Sequence, residues 1–307
     1  MKKLSMIVAA SIASLSLVAC SSGNPLESQS PAASGSGSAA ATAVTVGSAN
    51  FPENELLAQI YAQALAAKGV QVSTKLNIGS RETYLPALEN GEINLLPEYT
   101  GALAKYLNPD ADTSTTDAAV SALTSSLPAG LTVLDPAPAQ DNDSITVTKE
   151  TADSYGLKTI EDLVPHAGDM VLGGPPEWKT RSYGVPGLEK TYGLKFKSFK
   201  ALDTAGPLTV QALKNGQVQA ANLFTTDPAI TANGFVPLED TKNFFGSQNV
   251  IPVITKDLAT PEVTAALNAV SAKLDTTTLA GLVSKVVTDK QDADKVAGEW
   301  LTSVGLA

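Results

Sequence analysis

The sequence predicts an α/β protein built as two lobes of like design, and three observations predict it. Short β-like runs alternate with amphipathic helical runs, the pattern of α/β folds with mainly parallel sheets. The stretch carrying this pattern, from about Thr42 to Ala307, is long for one lobe and comfortable for two at roughly 100–200 residues per domain. Third, one segment returns. Ala87-Leu88-Glu89-Asn90-Gly91-Glu92-Ile93, followed by Tyr99-Thr100, recurs as Ala212-Leu213-Lys214-Asn215-Gly216-Gln217-Val218, followed by Phe224-Thr225, at a constant offset of 125 residues.

The elements follow in order. Ala43 to Gly47 is a short strand. Pro52 and Glu53 open a helix whose apolar residues Leu56, Leu57, Ile60, Tyr61, Ala64 and Leu65 share one face, and Gly69 stops it. Val70 to Leu76 reads as a strand, Arg81 to Glu89 as a helix, Ile93 to Leu96 as a strand and Glu98 to Leu107 as a helix. Further strands are expected near 131–134, 144–148, 170–173, 195–199, 217–222 and 250–254, with helices between them. The tail from about Pro261 to Val304 is helical throughout.

In each copy of the repeated segment a helix ends at Asn-Gly, a strand follows, and an aromatic-Thr pair sits past the strand's C-terminal end. That edge is where open α/β sheets bind ligands. Two such lobes present Tyr99 and Phe224 to each other across a cleft. The other reading makes Asn-Gly an ordinary helix stop and each ring part of its own lobe's core. The spacing alone leaves both open.

The N-terminus points to the compartment. Lys2 and Lys3 precede an apolar run, Leu4 to Ala19, with the length and polarity of a signal-peptide core. The run ends in Leu17-Val18-Ala19-Cys20, which matches a bacterial lipobox, and Cys20 is the single cysteine of 307 residues. Residues 1–20 are therefore read as a lipoprotein signal and residues 21–42, rich in Ser, Gly, Ala and Pro, as a flexible linker. Lipid on Cys20 would anchor the mature chain to the outer face of the plasma membrane at about 0.8 kcal/mol per buried methylene. With no other cysteine, no disulfide forms. The formal charge is −10, and −12 once Lys2 and Lys3 leave with the signal. This argues against nucleic acid as a partner.

Catalytic residues are scarce. His166, the one histidine, lies in Val164-Pro165-His166-Ala167-Gly168, a loop pattern, and has no partners for a triad or a zinc site. Gly173-Gly174-Pro175-Pro176 lacks the Lys-Ser/Thr of a phosphate loop. Asp110, Asp112, Asp141 and Asp143 lack calcium-loop spacing. No enzyme activity, metal or cofactor is expected. Trp178 and Arg181 fall at the start of an expected helix, where Arg181 either clasps a ligand carboxylate bidentately or forms a surface salt bridge.

Longer motifs add a resemblance. They are Gly47-Ser48-Ala49-Asn50-Phe51-Pro52-Glu53 and Gly91-Glu92-Ile93-Asn94-Leu95-Leu96-Pro97-Glu98-Tyr99-Thr100-Gly101, then Thr148-Lys149-Glu150-Thr151-Ala152 with Tyr155-Gly156-Leu157, and Pro186-Gly187-Leu188 with Tyr192-Gly193-Leu194. From Val44 to about Val304 the chain resembles the substrate-binding proteins of osmoprotectant ABC importers, the glycine betaine, choline and carnitine binders. The resemblance implies a two-lobe Venus-flytrap fold (periplasmic-binding-protein, type II) with two hinge crossings. Lobe I would hold 43–140 plus 250–307, and lobe II 141–249. It also implies a small-molecule ligand, an ABC permease and its cytoplasmic ATPase as partners.

In that family a box of tyrosines surrounds a trimethylammonium group by cation–π attraction, about 0.5–2 kcal/mol per desolvated contact. Carried over by position, Tyr99 matches. Phe224 stands where a Tyr is usual, and Asp143 and Gln248 stand where two others are expected. The Lys that follows Gly-Ser in many relatives is Ala49, while Arg181 remains. Asn50, with Thr100 and Thr225 of the aromatic-Thr pairs, completes the expected binding set. The expected ligand is bulkier or more polar than glycine betaine and still cationic, with Asp143 pairing to a cation and Gln248 hydrogen-bonding polar groups. The alternatives are a receptor-linked sensor with the same fold, and an enzyme on that fold, which would need a perturbed acid or base in the cleft.

Overall fold

The computed structural model describes residues 43–307. The signal, Cys20 and the linker to residue 42 lie outside the described residues. The chain runs β1 (Val44–Gly47), α1 (Pro52–Ala66), β2 (Val72–Lys75), α2 (Arg81–Glu89), β3 (Leu95–Tyr99), α3 (Thr100–Leu107), α4 (Thr116–Ser126) and β4 (Leu131–Val133). It continues through β5 (Asp143–Val147), α5 (Lys149–Tyr155), β6 (Val171–Gly174), α6 (Val185–Tyr192), β7 (Ser198–Ala201), α7 (Pro207–Lys214), β8 (Ala220–Phe224), α8 (Pro228–Asn233) and β9 (Val236–Pro237). It then returns through β10 (Val250–Thr255) and ends in α9 (Pro261–Ser271), α10 (Thr276–Val287) and α11 (Ala293–Ser303).

These strands form two five-stranded sheets, in the orders β2-β1-β3-β10-β4 and β7-β6-β8-β5-β9. In the first, β1 is parallel to β2 and β3, while β10 runs antiparallel to β3 and β4. In the second, β6 is parallel to β7 and β8, while β5 runs antiparallel to β8 and β9. Both sheets are mixed, which corrects the expectation of mainly parallel pairing. The parallel strands are joined by helical crossovers, but β5 and β10 each arrive from the other lobe and escape that constraint.

The repetition in the sequence is a repetition of architecture. Tyr99 ends β3 opposite Val250, the first residue of β10, and Phe224 ends β8 opposite Asp143, the first residue of β5. The chain passes between the sheets twice, after β4 and after β9, and the two passages lie side by side. Gln140 bridges Asn249 in antiparallel fashion, Val250 N donates to Ala139 O at 3.0 Å and Asp141 N to Gln248 O at 3.1 Å.

The predicted face of α1 is the most deeply buried surface of the first lobe. Leu56, Leu57, Ile60 and Leu65 are fully buried, and Tyr61 nearly so, in a core shared with Trp300, Leu301 and Leu267. The second lobe has its own core around Leu172, Trp178 and Phe245. Thr148, Asp227, Thr260 and Asp275 cap α5, α8, α9 and α10 by accepting a backbone N–H of the first turn. The helix expected at Trp178 is only a 3-10 turn, Pro176–Lys179. The chain doubles back on it so closely that a Cβ on Gly184 would lie 2.2 Å from the Trp178 carbonyl oxygen. Among the described residues, no helix is long and apolar enough to cross a membrane.

Candidate ligand-binding cleft

The segment Pro97-Glu98-Tyr99-Thr100-Gly101 shows what each of its residues is for. Glu98, buried on β3, takes Arg81 in a two-pronged ion pair, Nε to Oε1 and Nη2 to Oε2, both at 2.8 Å. The Tyr84 hydroxyl donates to the same carboxylate at 2.6 Å. Burial works against the Arg81 charge, yet Glu98 holds its pKa above the ordinary value. The Thr100 hydroxyl donates to Ser247 O at 3.0 Å and accepts from Asn249 N at 3.1 Å, tying α3 to the returning strand. A Cβ on Gly101 would stand 2.5 Å from the same Ser247 oxygen, so only glycine fits.

Past this segment a cavity of about 60 Å³ opens between the lobes. Phe51, Tyr84 and Tyr99 line it from the first lobe and Trp178, Tyr183 and Phe224 from the second. Phe51, at the start of α1, stands between the two predicted rings, with centroids 6.2 Å from Tyr99 and 5.1 Å from Phe224. Tyr99 and Phe224 thus share one cavity and are joined through a third ring.

Its polar lining comes from both lobes. Arg81 donates through Nη1 to the Tyr183 hydroxyl at 2.7 Å, across the lobes. Arg181 pairs across the lobes with Glu82, at 3.1 Å through Nε and 2.7 Å through Nη2. Although burial opposes its charge, Glu82 is pulled down to about 2 by the Arg181 hydrogen bond. Both guanidiniums also lie over the Tyr183 ring, at 5.9 and 5.5 Å. Asp143 accepts from Asn222 Nδ2 at 2.8 Å, and burial pushes its carboxyl up, partly offset by that bond.

Behind Tyr99 lies a second polar cluster. Glu53 of α1 accepts from the Tyr99 hydroxyl and from the Thr226 hydroxyl of the second lobe, each at 2.6 Å. Asp141, on the first passage between the sheets, accepts from Thr226 N at 3.0 Å. Burial raises both carboxyls, and the neighbouring Glu53 charge raises Asp141 further. The two carboxyls titrate as a pair, and burial beside one another favours a shared proton over two charges.

Of the residues singled out in the sequence, Tyr99, Phe224, Asp143, Gln248, Arg181 and Asn50 line the cavity. Gln248 has both ends of its amide committed to main chain: Oε1 accepts from Ala102 N at 2.9 Å and Nε2 donates to Phe245 O at 2.7 Å. Thr100 and Thr225 do not line it. Thr225 accepts from Asn142 N at 2.9 Å and donates to Asp141 at 3.3 Å, so both threonines brace the passages between the sheets. Arg181 lines the cavity and is also half of an ion pair with Glu82. Sequence reasoning missed Phe51, Arg81, Tyr84, Tyr183 and Asn222. Phe51 lay inside a quoted motif, ahead of the helix-opening Pro52, which was its signal. The others carry no local mark, because their roles come from partners far away in the chain. His166 lies half-buried against Tyr155, with ring centroids 4.5 Å apart, away from the cavity. Among the described residues, no cluster of three His, Cys, Asp or Glu is arranged to hold a metal ion.

Comparison with known proteins agrees with this geometry. Residues 42–303 match the family described as the substrate-binding domain of ABC-type glycine betaine transport systems. The chain is 30% identical over 281 residues to the glycine betaine-binding protein YehZ of Escherichia coli strain K12, covering 87% of this chain and 92% of that one. It is 26% identical over 262 residues to the ergothioneine transport permease/ergothioneine binding protein EgtU of Helicobacter pylori strain G27, covering 83% of this chain and 46% of that protein. The crystal structure of a glycine betaine/carnitine/choline ABC transporter superposes with a TM-score of 0.68 at 25% identity, over 86% of this chain and 99% of that one.

Proposed function

The chain belongs to the family of substrate-binding domains of ABC-type glycine betaine transport systems, and from that premise we propose that it captures a betaine- or choline-like cation between its lobes and delivers it to a permease driven by a cytoplasmic ATPase. The lobes are 43–140 with 250–307, and 141–249, and closure of one on the other traps the ligand. Acylation of Cys20 keeps the protein on the outer face of the plasma membrane, with residues 21–42 as a tether.

One observation carries the reading. Phe51, Tyr99 and Phe224 gather in a single cavity beside Asp143. Ring faces attract a cation that sheds its water, and a carboxylate adds charge attraction that rings alone lack. The same carboxylate supports a ligand bulkier or more polar than glycine betaine. Arg181 makes no hydrogen bond through Nη1 among the described residues, which suits it to an anionic end of a zwitterion.

A thermal-shift and calorimetric series with glycine betaine, choline, carnitine and ergothioneine tests the proposal. A bound ligand raises the melting temperature in step with RT ln(1 + [L]/Kd). At least one of the four should do so, and Asp143→Ala should weaken its binding. Tight binding of plain glycine betaine that ignores Asp143→Ala would contradict the assigned selectivity. Silence from all four would contradict a quaternary cation as the ligand.

A further inference from the structure

Asn222 is fully buried on β8 and lines the cavity. Its Nδ2 donates to Asp143 Oδ1 at 2.8 Å. This bond turns the amide nitrogen of Asn222 toward Asp143. The Asn222 Oδ1 is left buried and without a hydrogen-bond partner among the described residues. Native folds rarely leave such an acceptor orphaned.

The surroundings explain why nothing in the protein satisfies it. In the β5–β8 register, Asp143 lies opposite Phe224 and Ile145 opposite Asn222. Alternate residues of a strand share a face, so a ring and two acceptors stand together on one wall. Several of the donors that share the cavity are engaged elsewhere, and two that are free among the described residues, Arg181 Nη1 and the Tyr183 hydroxyl hydrogen, are not bonded to Asn222. Arg81 is held by Glu98 and Tyr183, Arg181 by Glu82, the Tyr84 hydroxyl by Glu98 and the Tyr99 hydroxyl by Glu53. Asp143 Oδ2 likewise makes no hydrogen bond among the described residues.

We propose that Asn222 Oδ1 and the Asp143 carboxylate form a subsite for an N–H group, so that the cleft prefers a cation bearing at least one N–H over the fully N-alkylated cation of the same skeleton. The inference rests on the reading of the cleft as a cation site. A quaternary ammonium ion satisfies the rings but has no hydrogen to give. Against Asn222 it would set methyl groups on an acceptor that stays unpaired. An N–H cation keeps the attraction to the rings and supplies the missing donor.

Calorimetry on the purified protein at neutral pH decides it, with two pairs that differ by one N-methyl group. The pairs are protonated N,N-dimethylglycine against glycine betaine, and protonated 2-dimethylaminoethanol against choline. In both, the N–H member should bind at least about tenfold tighter, the worth of one hydrogen bond to a charged group. Asn222→Leu, which keeps the size and removes the acceptor, should narrow that preference to within about twofold. A quaternary member that binds as well as its partner in either pair overturns the subsite and leaves the cation reading standing. A preference that survives Asn222→Leu overturns the assignment to this residue. No heat from any of the four overturns the cation reading itself. The wild-type pairs decide the matter alone if the leucine variant does not melt cooperatively.

Discussion

Thr226→Val isolates one bond that spans the lobes and lies outside the ring cavity. The Thr226 hydroxyl donates to Glu53 at 2.6 Å, with the two residues only 6% and 3% exposed. Glu53 sits on α1 of the first lobe and Thr226 follows β8 of the second, so the bond exists only while the lobes are together. Opening returns both groups to water, where each finds other partners. Valine keeps the shape and removes the donor. A net hydrogen bond is worth about 0.5–1.5 kcal/mol, so the closed-to-open ratio should fall roughly 2- to 10-fold. The Tyr99 hydroxyl still reaches Glu53, which places the expected loss near the lower end. Small-angle X-ray scattering of the ligand-free protein should report a larger radius of gyration. Apparent affinity for the tightest cation of the series should drop with the closed fraction. Unchanged scattering and unchanged affinity, in a variant that melts like the parent, would show that this bond does not hold the lobes together.

Three further outcomes follow from the same contacts. Glu98→Gln strips the buried Arg81 of its carboxylate and should cost about 3–5 kcal/mol, read as a lower urea midpoint; a midpoint equal to wild type would disprove the pairing's structural role. Phe51→Ala removes the ring between Tyr99 and Phe224 and should weaken cation binding roughly 2- to 30-fold by calorimetry, whereas undiminished binding would remove Phe51 from the site. Burial raises the Asp141 carboxyl above its ordinary 3.8, so its contribution to stability is full below that value and declines as pH rises toward the folded pKa. Asp141→Asn cannot ionise there, so its melting temperature should gain on wild type as pH rises from about 4 to about 8; a wild type that gains on the variant over that range would refute the raised pKa.

The elements most legible in the sequence were those with local chemistry. The apolar stripe of α1, the helix over Arg81–Glu89 and the helical tail were visible because side chains three and four apart share a face, whatever the rest of the chain does. The aromatic-Thr repetition located two rings of the cavity, because strand ends at the carboxyl edge of a sheet lie beside the cleft. Strand direction was not legible. β5 and β10 read as ordinary strands, and their antiparallel course follows only from their arrival from the opposite lobe. Arg81 and Tyr183 show the same limit in the site. They are 102 positions apart, and no spacing rule announces that one will meet the other's hydroxyl. Thr100 and Thr225 mark the reverse error. Being next to a lining residue put them in the expected set, but each follows the end of its strand and its hydroxyl is bonded to the passages between the sheets.

The two lobes repeat one construction and fill it differently, and the difference gives the cleft its polarity. In the first lobe Tyr99 ends its strand opposite Val250, and its hydroxyl is drawn inward to Glu53. At that strand end the first lobe presents a ring face, with no carboxylate opposite it. In the second lobe Phe224 ends its strand opposite Asp143, so the wall has no hydroxyl but presents a carboxylate with Asn222 behind it. The ring position is fixed by topology, because the end of the third strand is the edge residue in both sheets. The first residue of the incoming antiparallel strand carries no such demand. In the second lobe it is Asp143, which lines the cavity, and in the first it is Val250, which is buried in the core, with the same backbone pairing. If the cleft takes a cation as proposed, the residue opposite the ring is where its selectivity is expected to be set. Substitutions at Asp143 should change which cations bind, and substitutions at Phe224 should mainly change how tightly they do.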